Sequence, residues 1–247
     1  MEDSPAPRGP RHFDTTHWSL VAAAKRDEVS QTRAREALEE LCRTYWYPLY
    51  AFVRSRRNSA ADAQDLTQAF FARIIETGGL ATADRERGRF RSYLLGAMKH
   101  FLANEWHRTR TKKRGGEVQF IEWDALNPEA RYAEETRPSE DPEHIYDREW
   151  ALETIAAALQ KLHDEMADAG KREQFEALRG SLTGEESVPQ KEIAARLNMS
   201  EGAVKVALHR LRRRYGELLR AIIAETVGSE ADLDDETRYL VAVLRRE

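Results

Sequence analysis

The stretch from Pro189 to Tyr215, PQKEIAARLNMSEGAVKVALHRLRRRY, constrains this chain more than any other. It reads as two short helices joined by Asn198-Met199-Ser200. Ile193, Ala194 and Leu197 share one face of the first. Ser200 is placed to cap the second, whose first backbone N–H groups lie just beyond it. Val204, Ala207, Leu208 and Leu211 line one side of that second helix. Lys205, Val206, His209 and Arg213 point roughly the other way, with Arg210 and Arg212 on the flanks. An apolar back, a tight turn before it and a cationic open face are what a helix-turn-helix needs to enter a major groove. A basic helical hairpin that only faces water has the same local pattern, so the rest of the chain decides.

Charge is segregated along the sequence. The 39 Lys and Arg and 43 Asp and Glu leave a net charge of −4, which does not by itself announce nucleic acid. Yet Lys99 to Gly116 and Lys205 to Arg220 are strongly basic, and Glu117 to Glu149 between them is strongly acidic. Two cationic footprints are thus expected without a cationic whole. The single cysteine, Cys42, lies in an apolar helical pattern and reads as core filling. The N-terminus lacks the apolar run of a signal peptide, and no stretch approaches the about eighteen apolar residues of a membrane span. These features predict a cytoplasmic protein with no membrane insertion.

Helical periodicity organises the remainder. Residues 1–12 are Pro-rich and expected to be disordered; Asp14, Thr15 or Thr16 can cap a short helix carrying Trp18 and Val21. From about Arg33 to Arg57 two apolar stripes flank Pro48, which predicts two helices or a kinked one. Ser59-Ala60-Ala61-Asp62 is a capping-box variant, opening a helix that points Ala63, Leu66, Phe70 and Ile74 inward, with Thr67 and Phe71 beside them. Gly78-Gly79 ends it, and residues 81–89 form a charged loop. Phe90 to Trp106 is the strongest helix of the first half, with a polar and basic edge. Residues 115–143 read as an acidic linker without useful periodicity, holding Phe120, Ile121 and Trp123 as a small apolar cluster. Helix returns at Ile145, and Leu233, Leu240, Val243 and Leu244 give the tail one more amphipathic helix.

The expected fold is all-α: two helical domains joined by an acidic linker. The second contains a winged-helix-like or helix-turn-helix DNA-binding unit without a clear wing. The expected boundaries are 13–114, 115–143 and 144–227, with a helical tail over 228–247. No His-Glu-x-x-His, Cys-x-x-Cys, phosphate-binding Gly-rich loop or paired-carboxylate signature appears in usable context. No metal, no cofactor and no enzymatic activity are therefore expected.

Two ordered blocks carry a family resemblance. YPLYAFV at 47–53, DAQDLTQAF at 62–70, FRSYL at 90–94 and NEWHR at 104–108 resemble the promoter-melting domain of an extracytoplasmic-function (ECF) RNA polymerase sigma factor of the sigma-70 class. EIAARL at 192–197 and SEGAVKVALHRLR at 200–212 resemble that family's upstream-element-binding domain. The opening Phe13 to Val21 and the basic Gly-Gly break resemble the variant found in Planctomycetes. The longer stretch from Asp168 to Val188 and the tail beyond Gly228 depart from the family pattern, and either could hold a regulatory contact.

The resemblance implies a factor that joins core RNA polymerase and directs promoter recognition, DNA melting and transcription initiation. The helix from Asp62 to Glu76 would dock on the clamp helices of the largest polymerase subunit through Asp62, Asp65, Gln68, Phe71 and Arg73. Capture of unstacked −10 bases would fall to Arg91, Lys99, Asn104, Trp106, Arg108 and Arg110, since aromatics interleaved with cations suit single strands. The −35 element would be read through Ser200, Glu201, Lys205, His209, Arg212 and Arg213. The partners implied are core RNA polymerase, promoter DNA, and an anti-sigma factor or other regulatory protein. The competing class is a stand-alone dimeric helix-turn-helix regulator on duplex DNA, which would leave residues 47–110 without a purpose.

Overall fold

Nearly every residue from Tyr45 to Val53 is apolar, so a helix there has no wet face and must be enclosed. In the computed structural model, residues 43–55 form the described part of helix α1, and Tyr45, Leu49, Tyr50, Phe52 and Val53 are all buried. The helix runs through Pro48 without a break, so of the two alternatives it is a single helix and not two. Proline in a helix interior costs about 3 kcal/mol, and the burial of so many large side chains outweighs that. The structure describes residues 43–77, 89–109, 128–135, 140–183 and 188–245. The N-terminal segment with Trp18 and Cys42, the loop over 81–88 and the cluster Phe120, Ile121 and Trp123 lie outside them.

The other helices are α2 (Ala60–Thr77), α3 (Phe90–Thr109), α4 (Pro128–Glu135), α5 (Pro142–Asp168), α6 (Arg172–Thr183), α7 (Gln190–Arg196), α8 (Glu201–Ala224) and α9 (Glu230–Leu244). No strand occurs among the described residues, so the chain is all-α there. It divides into two compact units. The first joins the chain up to Glu153 with Ile223 onward, and the second is Thr154–Ile222. The second is narrower than the sequence pattern drew it, and the C-terminal helix belongs to the first.

In the first unit α1 to α3 share aromatic contacts. The Tyr45 and Phe90 rings meet edge-on at 5.3 Å, as do Phe70 and Phe101 at 5.7 Å. Ser59 caps α2 reciprocally: its Oγ accepts from the Asp62 N–H at 3.1 Å and donates to Asp62 Oδ2 at 2.6 Å. Within 115–143, read as an acidic linker without useful periodicity, residues 128–135 form helix α4. Arg54 grips Glu129 through Nε at 3.0 Å and Nη2 at 2.8 Å, and the Tyr50 hydroxyl donates to Glu129 at 2.8 Å. These bonds, led by that from Arg54, hold the Glu129 carboxyl below its ordinary range. Arg131 lies 3.8 Å from the Tyr47 ring centre and pairs with Glu149 and Glu153.

Two left-handed residues shape the second unit. Gly170 (φ +68°) ends α5, with its N–H donating to Ala167 and that of Lys171 to Met166 at 2.7 Å. Asn198 (φ +51°) ends α7 in the same way, with Asn198 donating to Ala195 and Met199 to Ala194 at 2.9 Å. Both are Schellman closures, which satisfy the last carbonyls and turn the chain sharply. Asn tolerates the left-handed region better than most side chains. The turn brings Ile193 and Ala194 onto the same core as Val204, Leu208 and Leu211, with Leu162, Phe175 and Leu178 beneath.

Candidate nucleic-acid interfaces

The helix-turn-helix of the second unit is built as its sequence requires. Ser200 Oγ accepts from the Ala203 N–H at 3.2 Å, capping α8 three residues in. Ser200→Ala should cost this unit about 0.5–2 kcal/mol, read as a lower urea midpoint at unchanged slope. Val204, Leu208 and Leu211 are buried, whereas Glu201, Lys205, His209, Arg212 and Arg213 are exposed. The cationic front therefore stands clear of the unit's own core. Val206, 50 % exposed, and Arg210 belong to the same stretch by helical spacing. Val206 thus lies on the open face that helical spacing gives it with Lys205, His209 and Arg213.

Two arginines of α8 have protein partners. Arg212 Nη2 donates to the Ser181 carbonyl at 2.8 Å, and Arg213 Nε pairs with Glu217 at 3.0 Å. Arg214, one step on, joins Glu165 at 2.6 Å and Glu217 at 3.1 Å. Its hydrogen bond holds the Glu165 carboxyl below its ordinary range. The cations offered most openly are thus at the N-terminal half of the helix, where a recognition helix meets base edges.

Helix α3 of the first unit exposes Asn104 and Trp106, the latter 67 % exposed. Lys99 is half-buried and pairs with Glu143 at 2.5 Å. The Arg108 side chain and Arg110 lie outside the described residues. Phe101 is buried, as the helical stripe implied.

Arg91 is a correction. Expected as a surface contact to DNA, it is buried, with its side chain only 8 % exposed. Its Nε donates to Glu236 Oε1 at 2.6 Å and its Nη1 to Asp147 Oδ1 at 2.6 Å. Glu236 is 1 % exposed and also accepts from Arg89 Nε at 3.0 Å. The Tyr239 hydroxyl donates to Asp147 Oδ2 at 2.5 Å, and the Tyr239 and Trp150 rings lie 4.1 and 5.0 Å from the Arg91 guanidinium carbon. Burial works against the charge on Arg91, but Glu236 and then Asp147 outweigh it and hold its pKa above the ordinary value. A cation so enclosed has no front left for a phosphate. Its partners come from α5 and α9, far away in sequence, and no local pattern announces them.

On α2, Asp62, Asp65 and Arg73 are exposed and Gln68 is half-buried. Phe71 is a second correction: at 4 % exposure it is packed edge-on against Phe70 at 5.5 Å and presents nothing to a partner. The buried sector of α2 is wider than a single stripe, since Thr67 and Phe71 lie inside it with Phe70 and Ile74. Asp62 is engaged in the cap. Among the described residues no group of three or more His, Cys, Asp or Glu gathers as a metal site, and no helix is long and apolar enough to cross a membrane.

Two family models match the chain. Sigma-70 region 2 matches residues 41–112, spanning α1 to α3, and sigma-70 region 4 matches residues 182–214, spanning α7 and the first half of α8. No curated protein and no solved structure matches it. Helices α4, α5 and α9 lie outside both matched ranges. Region 2 and region 4 occur in that order along the chain, and together they indicate a sigma factor mediating promoter recognition and transcription initiation.

Proposed function

We propose that the surfaces of this sigma factor divide the work as follows. Helix α8 reads the −35 element through Lys205 and His209, with Ser200 and Glu201 at its N-terminal end and Arg212 and Arg213 toward phosphate. Helix α3, through Lys99, Asn104 and Trp106 and on through Arg108 and Arg110, captures unstacked −10 bases. Helix α2 docks on the clamp helices of the largest polymerase subunit through Asp65, Gln68 and Arg73. The acidic stretch before α5 threads the RNA-exit side of the polymerase. An anti-sigma factor or other regulatory protein is a further partner, the factor works in the cytoplasm, and within the family it is placed with the variant of Planctomycetes that the sequence resembles. The observation that carries this reading is the exposed Lys205 and His209 in front of a buried Val204, Leu208 and Leu211 back.

Run-off transcription from a promoter library, with purified protein and core polymerase, tests it. A promoter-specific product is expected. Its absence, with two-fold binding to a palindromic duplex instead, would overturn the reading in favour of a dimeric regulator. Two substitutions should then separate the contacts within α8. Lys205→Ala should shift preference at one −35 position by about 1–3 kcal/mol. Arg213→Ala should weaken all promoters alike and reduce the slope of affinity against salt by about one.

A further inference from the structure

We propose that the C-terminal helix α9 is a working part of the promoter-opening domain, with Glu236 as a positioning residue for α3. The inference rests on the reading of α3 as the −10 helix. Three segments far apart in the chain converge on one guanidinium: α3 supplies Arg91, α5 supplies Asp147 and Trp150, and α9 supplies Glu236 and Tyr239. Glu236 also takes Arg89, so one carboxylate grips the chain just before α3 and again in its first turn. The Phe90 N–H between them donates to the Thr226 carbonyl, just ahead of α9, at 3.2 Å.

A buried ion pair adds little stability over a well-packed apolar pair of the same volume, because both charges must leave water. What it fixes is geometry: the planar fork of Arg91 spends Nε and Nη1 on two carboxylates in set directions. That matters because the proposed base-capturing residues sit far along the same rod. At 1.5 Å per residue, Asn104 and Trp106 lie about 20 Å from Arg91 along the helix axis. A tilt of about 10° at the first turn would move them by about 3.5–4 Å, enough to spoil stacking on a base. Neither matched region reaches α9, so nothing in the region 2 pattern supplies this brace.

The test uses full-length Glu236→Gln, Glu236→Asp and Tyr239→Phe proteins assembled with core polymerase. Binding of a single-stranded oligonucleotide carrying the non-template −10 sequence found by the library is measured by anisotropy. Affinity for core, affinity for a −35 duplex and thermal melting are measured beside it. Glu236→Gln should weaken −10 capture about 10-fold while core and −35 affinities stay within about 2-fold of wild type. Tyr239→Phe keeps the ring and loses the hydroxyl's bond to Asp147, so its effect should be smaller and in the same direction. Glu236→Asp keeps the charge and should recover part of the loss. A lower melting temperature with wild-type −10 capture would overturn the proposal and leave α9 a purely structural helix. Tighter −10 capture would overturn it in favour of α9 as a mask. Trp106→Ala separates the two levels. Full capture in that variant overturns the reading of α3, and Glu236's part with it. Loss there with full capture in Glu236→Gln overturns only the latter.

Discussion

Arg91→Ala is expected to destabilise the first unit by about 3–5 kcal/mol, a large part of what holds a domain folded. The size comes from what the substitution strands. Glu236 is 1 % exposed and would lose one of its two arginine partners, Arg89 remaining. Asp147 would retain the Tyr239 hydroxyl but lose its cation. The guanidinium also packs against the Trp150 and Tyr239 rings, and alanine loses both contacts. Tryptophan fluorescence is a selective monitor, because all five tryptophans, at 18, 46, 106, 123 and 150, lie outside Thr154–Ile222. Their transition in urea should move to lower denaturant in Arg91→Ala. A surface phosphate contact would give the reverse: unchanged unfolding and a shallower dependence of promoter affinity on salt. Coupling to Glu236 gives a further check. The Arg91→Ala/Glu236→Ala double variant should cost clearly less than the sum of the two singles, since removing both charges leaves neither buried alone.

Arg91 also shows where the sequence stops being informative. The helix-turn-helix was legible because everything that specifies it lies within one short stretch: the cap at Ser200, the left-handed Asn198 and the stripe from Val204 to Leu211. The tail was legible as a helix for the same reason, through Ser229 at its cap and Leu233, Leu240 and Val243 on one side. Its location was not legible, because the bond that places it joins Arg91 to a residue 145 positions away. The family resemblance alone implies a DNA contact for Arg91, which lies outside the basic run that begins at Lys99. Helix α4 was missed for a related reason. It docks through Glu129 and Arg131, an ionic attachment that leaves no apolar period to detect. Phe71 is a different case: helical spacing sets it and Thr67 beside Phe70 and Ile74, all four of them buried, and only the family resemblance gives it to the polymerase.

Phe175→Ala should have a comparable effect on the other unit, costing about 3–5 kcal/mol there. Phe175 is 1 % exposed in a cluster with Leu162, Leu178, Ile193 and Leu208, and its ring meets that of His163 edge-on at 5.3 Å. A unit of this size buries a modest core, with correspondingly little stability to lose. The expected outcome is two-phase unfolding by far-UV circular dichroism, with an early phase for Thr154–Ile222 and a tryptophan transition near that of wild type. Binding to a −35 duplex should fall with the early phase, because α8 keeps its cationic front in place only while Val204, Leu208 and Leu211 have Phe175 and its neighbours to pack on. Capture of a single-stranded −10 oligonucleotide by the assembled polymerase should survive, since the residues proposed for it belong to the first unit. If the tryptophan transition instead fell by the same amount, the two units would be one cooperative body, and the division of promoter recognition between independently folding halves would have to be abandoned.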